Sequence, residues 1–304
     1  MRRWHVASPA ALASCAVVAV TGPFDWPAQR GWMSARAIDD VERVGDDGYR
    51  RTAAIGTVPA VVDVTCLPAA SALRVQVRTL VPCDVGEILG RVRRVLDLDR
   101  DLLAMKGHFA DDPFLAAAMA SHPALRVPGG WEAFELAVRA ILGQQVTVRA
   151  ARQLASELVT ICGAPLPADL QTPGLARLFP TAAQVATADL GALRMPGARR
   201  AALTSLARAA TENPRLFDVG GSLDDAIARL RAVKGIGEWT AQYIALRALR
   251  HPDAFPASDV GLLRGAARET GTRPTAAALL ERAESWRPCR AYAAQLLWAE
   301  DGER

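Results

Sequence analysis

Two stretches with apolar residues at helical spacing, 222–233 and 238–249, are separated only by Lys234-Gly235-Ile236-Gly237. So short a link makes the two helices neighbours in a tight hairpin and fixes a helical framework around it. Glycine reaches positive φ without steric penalty and lets another backbone come close. A helix that starts directly after such a turn leaves its first N–H groups without intrahelical partners, and a phosphate suits them. Asp259 follows Gly237 by 22 residues, in Pro-Ala-Ser-Asp-Val-Gly-Leu-Leu at 256–263. A carboxylate there could act on the same nucleic acid that the hairpin grips.

The rest of the chain divides in two. The first third is strand-like. Residues 73–78 alternate apolar with charged or polar side chains, the pattern of a half-buried strand, and 55–64 adds two short β runs. A further strand is expected at 16–20. One helix is expected at 27–37. Another at 84–96 carries Val85, Ile88, Leu89, Val92 and Val95 at helical spacing. From about Leu98 the pattern is helical: 131–142, 146–160, 182–187, 198–211, then the hairpin pair, 260–269, 276–285 and 290–300. Ser222 with Asp225 three residues on has the form of a capping box. The expected fold is α+β: an N-terminal antiparallel-sheet lobe at 16–97, then an all-α region at 98–304 whose two helical subdomains enclose a cleft. Residues 1–15 are expected to be an extension.

Several blocks then resemble one family in its own order. They are Gly-Pro-Phe-Asp-Trp at 22–26, the run from Trp131 to Gln145, Met-Pro-Gly at 195–197, the hairpin with Asp259, and the run from Trp286 to Trp298. Together they resemble the helix-hairpin-helix (HhH-GPD) superfamily of DNA glycosylases, most closely its alkylated-base branch, 3-methyladenine DNA glycosylase II (AlkA). The resemblance implies base flipping and hydrolysis of the N-glycosidic bond of 3-methyladenine or 7-methylguanine. Double-stranded DNA carrying alkylated bases would be the partner of a monomer working in the cytoplasm at the nucleoid. Alternatives are a non-catalytic helix-hairpin-helix protein that senses DNA damage, or a glycosylase for hypoxanthine or uracil.

The chemistry falls on few residues. Breaking an N-glycosidic bond puts positive charge on the sugar, and a carboxylate at Asp259 would stabilise it and orient or deprotonate water. The plainer reading is an N-cap, Ser258 or Asp259 opening the helix at 260–269; the family resemblance favours catalysis, and the two roles can coexist. Strand-cleaving relatives place a lysine two residues after the second hairpin glycine. This chain has Trp239 there, which implies a glycosylase without AP-lyase activity. Trp239, Tyr243 and Trp298 match aromatic pocket positions, where ring faces attract a cationic base by about 0.5–2 kcal/mol. For each, core packing is the plainer role. The resemblance assigns Gly235, Ile236 and Gly237 to the DNA backbone, and the carbonyls of Arg231, Val233 and Ile236 to a structural monovalent cation. It puts Gln144 and Gln145 where a side chain fills the gap left by the flipped base, with Gln145 standing where the alkylated-base branch has leucine. Arg149, Arg152, Arg199 and Arg200 are candidates for phosphate contacts or plain surface charges.

Composition sets limits. A net charge of +4 permits a polyanionic partner without requiring one. The five cysteines are scattered, with only Cys289 near the C-terminus, so neither a disulfide framework nor the four-cysteine iron–sulfur cluster of some relatives is expected. No organic cofactor is implied. Met1-Arg2-Arg3 before an apolar run resembles a secretory leader, but the intracellular character of everything downstream favours the strand reading. Related chains fuse this module to an alkyl-transfer regulator, and residues 1–14 are too short to contain one.

Overall fold

The computed structural model describes residues 11–302. The basic start of the chain and most of the expected extension lie outside the described residues. The first lobe is a five-stranded antiparallel sheet in the order β1-β5-β4-β3-β2. Its strands are β1 (Leu12–Ala19), β2 (Glu42–Val44), β3 (Gly48–Ile55), β4 (Val58–Leu67) and β5 (Ala72–Thr79). β1 begins four residues before the expected strand and so takes in 12–15. The run at 55–64 falls on two strands, the first of which starts further back, at Gly48. Ile55 closes β3 and pairs with Val58 across a two-residue turn at Gly56, where φ is 58°.

Two helices attach to the sheet, α1 (Trp26–Ser34) and α2 (Gly86–Leu96). Asp25 caps α1 through the Ala28 N–H. Ile88, Val92 and Val95 of α2 pack with Val62, Val64, Val75 and Val77 of the sheet. Trp131 joins this core rather than the helical one. Helices then follow one another: α3 (Leu102–His108), α4 (Pro113–Ser121), α5 (Ala133–Leu142), α6 (Val148–Cys162), α7 (Ala182–Thr187), α8 (Gly197–Glu212), α9 (Leu223–Arg231), α10 (Glu238–Arg247), α11 (Val260–Thr270), α12 (Ala276–Arg282) and α13 (Arg290–Asp301). The Ser222–Asp225 capping box is present at the start of α9. Helices α3 and α4 have no counterpart in the periodicity argument. The segment between α6 and α7 turns back onto the sheet, packing Leu166, Leu170 and Leu175 on Val61. Thr52 of β3 donates its hydroxyl to the Arg177 carbonyl.

A buried ion network joins the lobes. Arg51 of β3 is 2% exposed, lies 4.4 Å from the Trp131 ring centroid and donates to Glu135 of α5 at 2.7 Å. Arg139, one turn on, donates to Glu42 at 2.6 Å and to Glu135 at 2.7 Å. Tyr49 donates its hydroxyl to Glu42. Burial alone would raise the Glu42 carboxyl, but Arg139 and then Arg51 overcome it and hold it at about 2. The sign follows from proton counts. Between the ordinary value of 4.5 and about 2 the unfolded chain binds more protons, so the contribution of Glu42 is complete above pH 4.5 and is lost as pH falls toward 2. Arg139→Met should lower unfolding free energy at pH 7 by about 3 kcal/mol, because it leaves two buried carboxylates to share Arg51. It should also flatten the loss between pH 5 and 3, as urea unfolding at the two pH values would read.

Candidate active site

The lobes enclose a cleft of about 1780 Å³. Its walls come from α1, the turn between α5 and α6, the first turns of α10 and α11, and the end of α13. The sheet lobe therefore supplies one wall, through Gln29, Trp32 and Arg36, and the helical subdomains alone do not form the cleft.

Asp259 is the N-cap of α11 and lines this cleft. One oxygen accepts from the Gly261 N–H at 2.9 Å, the Leu262 N–H at 3.2 Å and the Trp298 indole N–H at 2.9 Å. The other accepts from the Trp239 indole N–H at 2.7 Å. Capping and a site function are thus compatible: the helix end and two tryptophans hold the carboxylate in one orientation. The indoles do more than line a pocket, since their N–H groups hold the carboxylate while both rings contact Tyr243. Trp239 and Tyr243 are one turn apart on α10 and stack at 5.4 Å with planes 17° apart. Tyr243 meets Trp298 edge to face at 6.1 Å.

Two guanidiniums sit against these rings. Arg247 is 2% exposed, 4.7 Å from the Trp298 centroid and 5.3 Å from that of Trp32. It donates to the Pro128 carbonyl and to Gln295. Burial pushes its pKa down to about 10. Arg36 lies 4.5 Å over Trp32, and burial lowers it as well. Trp32, Arg36, Arg247 and Gln295 escaped the sequence reading. The block at 22–26 marked the entry to α1 but gave no sign that the helix reaches the cleft.

The hairpin glycines differ from each other. Gly235 has φ 93°, and a Cβ there would stand 2.3 Å from the Ala202 Cβ of α8. Gly237 has φ −87° and ψ −180°, an extended backbone open to any residue, and a Cβ would meet nothing within 4 Å. Only Gly235 has a backbone conformation that requires glycine. Gly237 is the N-cap of α10 and no side chain caps that helix, which leaves its first N–H groups without a capping partner. Ile236 is buried and donates its N–H to the Val233 carbonyl, one of the three assigned to a cation. The Arg231 side chain pairs with Glu238.

The turn after α5 carries the two glutamines. Gln145 is exposed with φ 57°, a left-handed conformation that costs a non-glycine residue about 1–3 kcal/mol. Gln144 is turned inward. Its amide donates to the Thr240 hydroxyl at 2.9 Å and to the Gly235 carbonyl at 3.2 Å. Of the four arginines proposed for phosphates, Arg199 donates to the Gln144 carbonyl, Arg200 to the carbonyls of Leu193 and Met195, and Arg152 pairs with Asp39. Arg149 is exposed.

The geometry agrees with comparisons to known proteins. A family model described as the AlkA N-terminal domain matches residues 15–132. The chain is 37% identical over 282 residues to a probable bifunctional transcriptional activator/DNA repair enzyme AlkA of Mycobacterium tuberculosis, covering 92% of this chain and about half (55%) of that one. It is 35% identical over 285 residues to DNA-3-methyladenine glycosylase 2 of Escherichia coli, covering 92% of this chain and 95% of the relative. Among solved structures, 3-methyladenine DNA-glycosylase from Archaeoglobus fulgidus superposes with a TM-score of 0.81 at 20% identity, over 94% of this chain and 98% of that one. Sheet lobe, hairpin, capped aspartate and the likeness along nearly the whole Escherichia coli relative lead to one conclusion: the chain belongs to the AlkA family of helix-hairpin-helix DNA glycosylases.

Proposed function

We propose that this chain is a monofunctional DNA glycosylase that excises alkylated bases of the 3-methyladenine and 7-methylguanine type from duplex DNA. The observation that carries the reading is Asp259, held by four N–H donors beside a stacked aromatic group in the cleft. A nucleotide turned out of the duplex would place its base against Trp239, Tyr243 and Trp298 and its C1′ near the carboxylate. As the C1′–N bond breaks, its electron pair leaves with the base. The carboxylate stabilises the positive sugar, and water adds to C1′ and loses a proton. The names of the relatives support alkylated purines as the substrate. Arg247 against Trp298 and Arg36 against Trp32 put positive charge in the cleft, which works against cation–π attraction. Selection therefore rests chiefly on leaving-group quality, because a cationic base departs neutral.

Gly235, Ile236 and Gly237 would hold a DNA phosphate at the uncapped start of α10. A monovalent cation on the carbonyls of Arg231, Val233 and Ile236 would add charge there, using the lone pair that the Ile236 N–H leaves free on Val233. The protein would act as a monomer at the nucleoid, without an organic cofactor. No helix among the described residues is long and apolar enough to cross a membrane.

The test is base release from methylated duplex DNA, with free bases separated by chromatography. The parent should release 3-methyladenine and 7-methylguanine and leave abasic sites with the strand intact. Borohydride should trap no covalent complex. The chain has only two lysines, Lys106 and Lys234, and neither lines the cleft. A trapped adduct would overturn the monofunctional assignment.

A further inference from the structure

We infer that Gln144 and Arg199 are positioning residues that lock the base-replacing turn to the phosphate-gripping hairpin, so that Gln145 is presented to the duplex at a fixed place relative to the gripped strand. The inference rests on the reading of Gln145 as the side chain that fills the vacated position. Gln145 holds a left-handed conformation that glycine would adopt freely and glutamine disfavours, and such a conformation persists only where its surroundings impose it. Both constraints act on the preceding residue. The Gln144 amide bridges to the Gly235 carbonyl in the hairpin and to the Thr240 hydroxyl in the first turn of α10. The Gln144 carbonyl accepts from Arg199 on α8 at 2.8 Å.

The third side of the junction is closed by Gly235 itself, whose Cα packs against Ala202 on the same α8. Turn, hairpin and α8 thus form one interlocked unit. Gln144 is committed to it and is not a substitute for Gln145. Gln145, by contrast, is exposed and lines the mouth of the cleft. When the start of α10 engages a phosphate, the duplex is set against the turn without further adjustment, and less of the loss of stacking has to be met by ordering the turn at that moment.

The test uses the full chain with Gln144→Met, Arg199→Met, Gln145→Ala and the double change Gln144→Met/Gln145→Ala. Methionine keeps length and removes the hydrogen bonds, and thermal unfolding checks that each variant folds. Excision is measured on methylated duplex and on methylated single strand. Unstacking is followed independently by the fluorescence of 2-aminopurine beside an abasic-site analogue in duplex DNA. Gln144→Met and Arg199→Met should slow excision from duplex by about 10-fold, the worth of one or two hydrogen bonds, and change single-strand excision less than about 2-fold. Both should weaken the fluorescence rise. Gln144→Met/Gln145→Ala should be no slower than Gln145→Ala alone, because a strut has no effect once the side chain it presents is gone. Equal losses on both substrates, or additive losses in the double variant, would overturn the inference. If the parent released no alkylated base, the proposed function would fail, and the fluorescence comparison would still decide the strut.

Discussion

Asp259→Asn should lower base release from methylated duplex by about 10²–10³-fold or more, while fold and DNA affinity stay near parental. Asparagine is as good an N-cap as aspartate, so the Gly261 and Leu262 N–H groups keep their acceptor. One oxygen can still accept from Trp298. The negative charge is lost, and the amide group now faces the Trp239 N–H donor against donor. Asp259→Ala separates the roles further, since it should also cost about 1 kcal/mol of stability through the lost cap. Chromatography of released bases with thermal unfolding of both variants reads the difference. Near-parental release by the asparagine variant would leave Asp259 as a cap alone.

The second large effect is expected at Gly235. Gly235→Ala sets a methyl group 2.3 Å from the Ala202 Cβ, on a backbone with φ 93°. Strain and overpacking together should remove about 2–5 kcal/mol of stability and shift the hairpin off α8. Gly237→Val makes the contrast. Its extended backbone suits a β-branched residue and its Cβ meets no protein atom, so stability should hardly change. The methyl groups would instead enter the space in front of the α10 N–H groups, and affinity for damaged and undamaged DNA alike should fall roughly 10-fold or more. Loss confined to damaged DNA would move Gly237 from the phosphate grip to the pocket. Comparable unfolding of both variants would remove the distinction between the two glycines.

What the sequence makes legible here is local. The hairpin, α10 and the capped start of α11 lie within about forty residues, and each is specified by neighbours in the chain. The α+β division is legible for the same reason, since periodicity changes from two to 3.6 along the chain. β3 is not legible, because Arg50 and Arg51 break its alternation. Arg51 is an inward residue whose presence makes sense only once Glu135, 84 positions away, is opposite it. Helix α4 has no polar face to betray its period, and α3 buries only Leu102. The cleft is harder still. Trp32 and Arg36 approach Arg247 from the other lobe, so their part in the site is a product of tertiary packing. Gln144 and Gln145 are adjacent and identical in type, and only the backbone turn between them sends one inward and one out.

The return of the segment between α6 and α7 onto the sheet bears on how the chain is born. Strands β1–β5 leave the ribosome before that segment, yet the face carrying Val61 is sealed by Leu166, Leu170 and Leu175, from about a hundred residues further on. At synthesis rates of about 5–20 residues per second, that apolar face waits roughly 5–20 s for its cover. Arg51 waits too, because Glu135 also comes later. The nascent sheet therefore spends that interval half finished, with Arg51 short of one ion partner and a wet apolar surface. The interval in which this protein most needs protection from its neighbours is thus set by the path of one loop.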